Sequence, residues 1–190
     1  AVAEEMPILP FNPTVVPARG GVGAVVEYQA NVIASVLAER LRGTYKMLHL
    51  PDGLSQDSLH MLMTCEPQIK EISDLISRTD VLLFGIGTAM RMADQRHIAD
   101  EVRKQLVDNH AVGEALGQYC DMDGKLIYST NNIGLSLPDV AKVPNVIAVA
   151  GGQEKASAII GVMRACQKGI LIIDEQAAEG MRQLLQISAL

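Results

Sequence analysis

The chain has 190 residues, a formal net charge of -6, 48% hydrophobic residues and 20% charged residues. That length is enough for one domain with a real core, and the composition excludes a disordered chain. The acidic balance excludes a broad basic face for gripping nucleic acid, and no apolar run is long enough to span a bilayer.

The chain opens on Ala1-Val2-Ala3-Glu4-Glu5-Met6. This reads as the tail of a helix cut from something longer, so the expectation is a fragment. Residues 13–17 (PTVVP) predict a short strand, and residues 18–23 (ARGGVG) a glycine-rich loop. Residues 24–42 predict a helix: Val26, Ala30, Ile33, Leu37 and Leu41 recur at steps of three and four, with Gly43 at the stop. Residues 44–50 read as a second strand and Pro51-Asp52-Gly53 as a turn. Residues 55–63 predict a short helix. Another begins at Glu66-Pro67, with Ile69, Ile72, Leu75 and Ile76 facing the core.

Residues 81–84 (VLLF) predict a third strand, followed by Gly85-Ile86-Gly87-Thr88-Ala89 and helical sequence from Met90 onward. Residues 97–107 are helical, whereas residues 109–119 carry no definite pattern. Residues 121–124 (DMDG) form a hairpin-type turn, too poor in acidic residues for a calcium loop, and residues 126–130 a strand. Residues 138–142 form a helical turn. The unbroken apolar run 146–149 is the pattern of a strand buried on both faces. Gly151 and Gly152 then turn the chain into a helix opened by Gln153, Glu154 and Lys155, with Ala156, Ile159, Ile160 and Met163 on its apolar face. Residues 170–173 (ILII) form a strand and residues 175–187 a closing helix. Strands alternating with helices predict an α/β fold with a doubly wound, mostly parallel sheet.

In such a sheet, ligands bind beyond the carboxyl ends of the strands. Three glycine-rich loops fall there: residues 19–23, 85–88 and 151–155. Parallel strands put them on one edge, where they could form a joint pocket. Each leads into a helix, whose free amides and dipole favour an anion. Arg19 supplies a fork suited to phosphate and Lys155 a point charge. Neither G-x-x-x-x-G-K-[ST] nor G-x-G-x-x-G is present, so a small phosphorylated metabolite fits better than a nucleotide. Cys65, Cys120 and Cys166 read as reduced thiols of a cytoplasmic protein. His49, His60, His97 and His110 have no metal spacing. No cofactor and no metal is expected. Met61, Met63, Met90 and Met92 read as core filler.

The series VPARGGVG, Gln29-Ala30-Asn31, LLFGIGTA and VIAVAGGQEKASAI runs in order over nearly the whole chain. It resembles the sugar-binding domain of the SorC type of bacterial transcription regulators. The resemblance implies a fold like glucosamine-6-phosphate deaminase and ribose-5-phosphate isomerase. It implies a DNA-binding domain and a threonine-rich phosphate loop on the N-terminal side of Ala1, so that residues 1–190 are an effector-domain fragment. It implies a homodimer or homotetramer, no membrane, and DNA reached only through the absent domain. In the branch that governs glycolytic genes, the implied inducer is fructose 1,6-bisphosphate. Carried over by motif, Arg19 and the amides of Gly20 and Gly21 would hold one phosphate, aided by Gln29 on the following helix. Gly85 and Gly87 would let backbone approach the ligand. Glu114 would accept from sugar hydroxyls, Lys155 would bind phosphate, and Arg96 is a further ligand-binding candidate.

The residues alone leave plainer roles open: Gln29 as a capping or solvated side chain, Glu114 as a surface carboxylate. They also leave an enzyme open, a sugar-phosphate isomerase or deaminase on the same fold. Related deaminases and lactonases follow a similar Gly-Ile-Gly with Asp-Gly-His. Here Ala89, Met90 and Arg91 stand at those places, without the carboxylate and imidazole of acid–base chemistry. That favours binding without turnover. An oligomerisation module with an empty pocket is the third possibility.

Overall fold

The computed structural model describes residues 2–20, 29–50 and 54–186. The expectations for Gly21, Val26, the 51–53 turn and residue 187 lie outside those residues. The chain divides into two compact bodies, residues 1–78 with 130–135 and residues 79–129 with 136–190.

The first body begins with α1 (Val2–Glu5) and β1 (Thr14–Val15). The latter pairs in parallel with β2 (Thr44–Tyr45) across α2 (Ala30–Arg40). The strand expected over 44–50 is thus only two residues long. Beyond it, the Leu48 backbone is held by a side chain instead of a strand. Asn31 Nδ2 donates to the Leu48 carbonyl at 3.1 Å, and the Leu48 amide donates to Asn31 Oδ1 at 2.9 Å. This pairing turns α2: its buried residues are Asn31, Ala34 and Ala38, whereas Ile33, expected inside, is 44% exposed. The left-handed residue after the helix is Arg42 (φ 52°), not Gly43.

Two further helices follow, α3 (Gln56–Cys65) and α4 (Pro67–Ser77). Their starts follow local rules: the Ser55 hydroxyl accepts from the Ser58 amide at 3.1 Å, and Pro67 occupies the first turn of α4. Ile72 and Ile76 are buried, as their spacing predicts.

In the second body β3 (Val81–Gly85), β8 (Asn145–Ala150) and β9 (Ile170–Ile173) form a parallel sheet in the order β3-β8-β9. Beside it in sequence lies an antiparallel meander: β4 (Gly87–Thr88), β5 (Gly113–Ala115), β6 (Gln118–Cys120) and β7 (Leu126–Ser129). The α/β class and parallel strands stand; β7 falls on the strand expected over 126–130, and β5 and β6 fill the stretch that sequence pattern left undefined. Its helices are α5 (Ala89–Gln95), α6 (Asp100–Asp108), α7 (Ala156–Cys166) and α8 (Glu175–Leu184). Ala156, Ile159 and Ile160 of α7 are buried as expected, each isoleucine contributing about 1.5–3 kcal/mol by leaving water. Met90 and Met92 pack on a core of Ala89, Ala93, Leu106 and Tyr119, while Met61 is 63% exposed and fills no core.

Helix α8 carries a local ion pair. Arg182 Nε and Nη2 donate to Glu179 at 2.7 Å, and Gln183 also donates to it. These bonds, Arg182 first, hold the Glu179 carboxyl down at about 2, below its ordinary 4.5. A depressed carboxylate pKa lends stability above the unfolded value and loses it as pH falls through the folded one. In an NMR titration, Glu179 should therefore stay ionised well below pH 4.5 and move back toward that value in Arg182→Ala.

Candidate functional site

Parallel pairing of β3 with β8 aligns Gly85 with Val149. The loops after both strands, 85–88 and 151–155, therefore emerge at one edge, and β4 touches the 153–155 turn there. The structure thus brings Gly85, Gly87, Arg96, Glu114 and Lys155 together in the second body. Arg19, Gly20 and Gln29 belong to the first.

Glu114 is the centre of the second-body group. It sits on β5 opposite Gly87 and is 3% exposed, so it is not a surface carboxylate. Its Oε1 accepts from the Gly117 amide at 2.6 Å and from Arg96 Nη2 at 3.2 Å. A buried carboxylate needs such partners. The first bond also explains the local backbone. The β5–β6 hairpin turns through Leu116 (φ 54°) and Gly117 (φ 79°), and a two-residue turn with both φ positive suits the strand twist. Leucine there is unfavourable, and the Glu114–Gly117 bond ties the turn down.

The two glycines differ. A Cβ on Gly85 would meet nothing closer than the Val149 carbonyl at 3.9 Å, which leaves room for an approaching group. A Cβ on Gly87 would lie 2.4 Å from the Met92 side chain and 3.9 Å from Glu114 Oε2. The space at Gly87 is therefore already filled by Met92. Arg96, the residue after α5, is fixed by its pair with Glu114.

Lys155 is not inside the helix that the sequence suggested. Gln153–Lys155 form a single 3-10 turn, and Lys155 is the residue preceding α7. Nor is the amide of Gly152 open to an outside anion, because both oxygens of Asp174 accept from it, at 3.1 and 2.9 Å. Sequence reading missed Asp174. Its signal was an aspartate between the ILII strand and an amphipathic helix, an N-cap position.

In the first body Arg19 is 8% exposed, and its Nη2 donates to Thr130 Oγ1 at 3.4 Å. Its backbone pairs with Gly134. The Gly20 amide donates to the Ile133 carbonyl at 2.9 Å, so it is committed to the fold and not to a phosphate. Gln29 lies before α2, in extended backbone (φ -71°, ψ 135°), not on the helix as expected. The Thr130–Leu135 segment that holds Arg19 is more than a hundred residues away in sequence, which is why no local pattern announced it.

Burial pushes the Cys120 thiol up to about 12, helped by Asp121, and burial pushes Cys166 to about 11. Both are protonated at neutral pH and make poor nucleophiles. Cys65 is exposed. Among the described residues no helix is long and apolar enough to cross a membrane. Among the same residues no group of three or more His, Cys, Asp and Glu side chains could hold a metal ion.

Residues 1–183 match the family model of a sugar-binding domain. The chain is 40% identical over 164 residues to the central glycolytic genes regulator of Bacillus subtilis, covering 86% of this chain and 48% of that protein. It is 40% identical over 181 residues to the regulator of the same name from Priestia megaterium, covering 94% and 53%. The chain thus spans about half the length of these relatives. A solved transcriptional regulator from Enterococcus faecalis, assigned to the SorC family, superposes with a TM-score of 0.86 at 38% identity, covering 95% of this chain and 74% of that one.

Proposed function

Because the chain belongs to the sugar-binding domain family of SorC-type transcription regulators, we propose that it is the effector-binding part of a repressor of glycolytic genes. Its effector is a phosphorylated sugar, fructose 1,6-bisphosphate foremost. Ligand binding changes the operator affinity of a longer, cytoplasmic, homodimeric or homotetrameric protein, whose DNA-binding domain lies N-terminal to residues 1–190. Linkage requires the sugar to bind one arrangement of that protein better than another.

The observation that carries the binding role is the buried Glu114–Arg96 pair, at the strand edge that also presents Gly85 and Lys155. A sugar there would offer hydroxyls to Glu114 Oε2 and a phosphate to Lys155. Arg19, in the first body, is a separate phosphate-binding candidate. Ala89, Met90 and Arg91 open α5 without a carboxylate or imidazole, which supports binding without turnover.

Thermal unfolding with a panel of sugar phosphates tests the role. Ligand at about a hundredfold excess over Kd adds roughly 2.7 kcal/mol. Fructose 1,6-bisphosphate should raise the midpoint selectively, and Arg19→Ala or Lys155→Ala should abolish the rise. No shift with any sugar phosphate would overturn the effector role. Turnover of a sugar phosphate that is lost in Glu114→Gln would replace it with an enzyme.

A further inference from the structure

The 151–155 turn reads in sequence as an anion cradle, yet the chain fills that cradle itself. Strands β8 and β9 are parallel, with Ala150 aligned to Ile173. Their carboxyl ends therefore deliver Gly151-Gly152 and Asp174 side by side. The Asp174 carboxylate takes the Gly152 amide through both oxygens, at 3.1 and 2.9 Å, and accepts from the Ala177 amide at 2.8 Å as the N-cap of α8. Both glycines suit this arrangement. A Cβ on Gly151 would lie 2.7 Å from Asp174 Oδ2, and Gly152 has φ 97°. The turn ends on Lys155, whose charge, after the Ala177 and Gly152 amides, helps hold the Asp174 carboxyl below its ordinary value.

We propose that Asp174 sets the anion selectivity of this edge: it occupies the Gly152 amide and fixes the turn, so that Lys155 alone meets a ligand's phosphate against the opposing charge of Asp174. This rests on the phosphate-binding role of Lys155 given above. A carboxylate in the cradle keeps a small free anion from settling at the amide. It lets a phosphate compete only when the rest of a larger ligand brings it there. Inorganic phosphate should therefore bind poorly, while a sugar phosphate gains from contacts elsewhere.

The test compares Asp174→Asn with the native 190-residue chain, by calorimetric titration with fructose 1,6-bisphosphate and with inorganic phosphate. Asparagine keeps Oδ1 for the Ala177 amide and is an equally good N-cap, while its Nδ2 replaces the oxygen nearest the Gly152 amide; circular dichroism checks that the fold is retained. Removing one negative charge near the phosphate should tighten both anions about threefold to tenfold. The gain should shrink as salt rises, which a merely structural role would not produce. Asp174→Ala, which loses the cap, should unfold at lower temperature, and Asp174→Asn should restore that loss. Equal or weaker anion binding by a folded Asp174→Asn overturns the inference while leaving the binding role intact. If the native chain binds no sugar phosphate, the binding role falls. The inference then stands if Asp174→Asn acquires inorganic phosphate binding, and falls if it does not.

Discussion

Replacing Glu114 by alanine should lower stability by about 2–4 kcal/mol, whereas replacing it by glutamine should cost about 1 kcal/mol. The difference follows from what Glu114 Oε1 holds. It accepts from the Gly117 amide at 2.6 Å and from Arg96 Nη2 at 3.2 Å, within a residue that is 3% exposed. Alanine leaves both donors without that acceptor. Removing one partner of a buried ion pair costs about 3–5 kcal/mol. The Arg96 side chain keeps 20% of its surface in water, which rehydrates part of its charge and brings the figure down. Glutamine retains an oxygen for the Gly117 amide, so the strained Leu116-Gly117 turn stays tied, and only the charge-assisted part of the Arg96 bond is lost. Urea denaturation at constant slope measures both values. Equal losses for the two variants would show that charge, and not the acceptor, matters at this turn. A neutral alanine would show that the pair contributes nothing.

Much of the second body was legible because its signals are local. The runs VLLF, VIAV and ILII are strands within a residue or two of their apolar limits, and they line up as one parallel sheet. In the first body, Ser55 and Pro67 marked helix starts through chemistry contained in four residues. The hidden parts depend on partners far along the chain. The buried face of α2 follows from Asn31 pairing with Leu48, seventeen residues on. The β5–β6 hairpin turns on a leucine at φ 54°, which no turn rule anticipates and which the bond from the Gly117 amide to Glu114 stabilises. The phosphate-loop readings of Gly20 and Gly152 assumed that amides after a strand stay open. Ile133 and Asp174, each from another part of the chain, already take them. Spacing could therefore place the carboxyl ends of the parallel strands, but not decide which backbone donors were still available there.

The same logic of close approach gives the other large effect, at Gly161 on α7. A Cβ there would stand 2.4 Å from the Asp121 backbone carbonyl and 3.0 Å from Val112 Cγ2. Alanine would ordinarily favour a helix over glycine by about 1 kcal/mol. At this position the obstacle wins, because the carbonyl cannot swing away. It accepts from the Gly124 amide at 3.2 Å within a turn that the Asp121 side chain also pins, through the amides of Asp123 and Lys125. Relief must come from moving α7, and α7 carries Ile159 and Val162, both with no exposed surface. Overpacking of this kind costs about 1–3 kcal/mol and occasionally more. Gly161→Ala should therefore fall in that range despite the propensity gain, and Gly161→Val should exceed it. Gly85→Ala, with nothing inside 3.9 Å of its Cβ, should be near neutral in the same denaturation experiment. A raised midpoint in Gly161→Ala would mean that helix and turn separate easily, and that the close contact between them does not hold α7 against the meander.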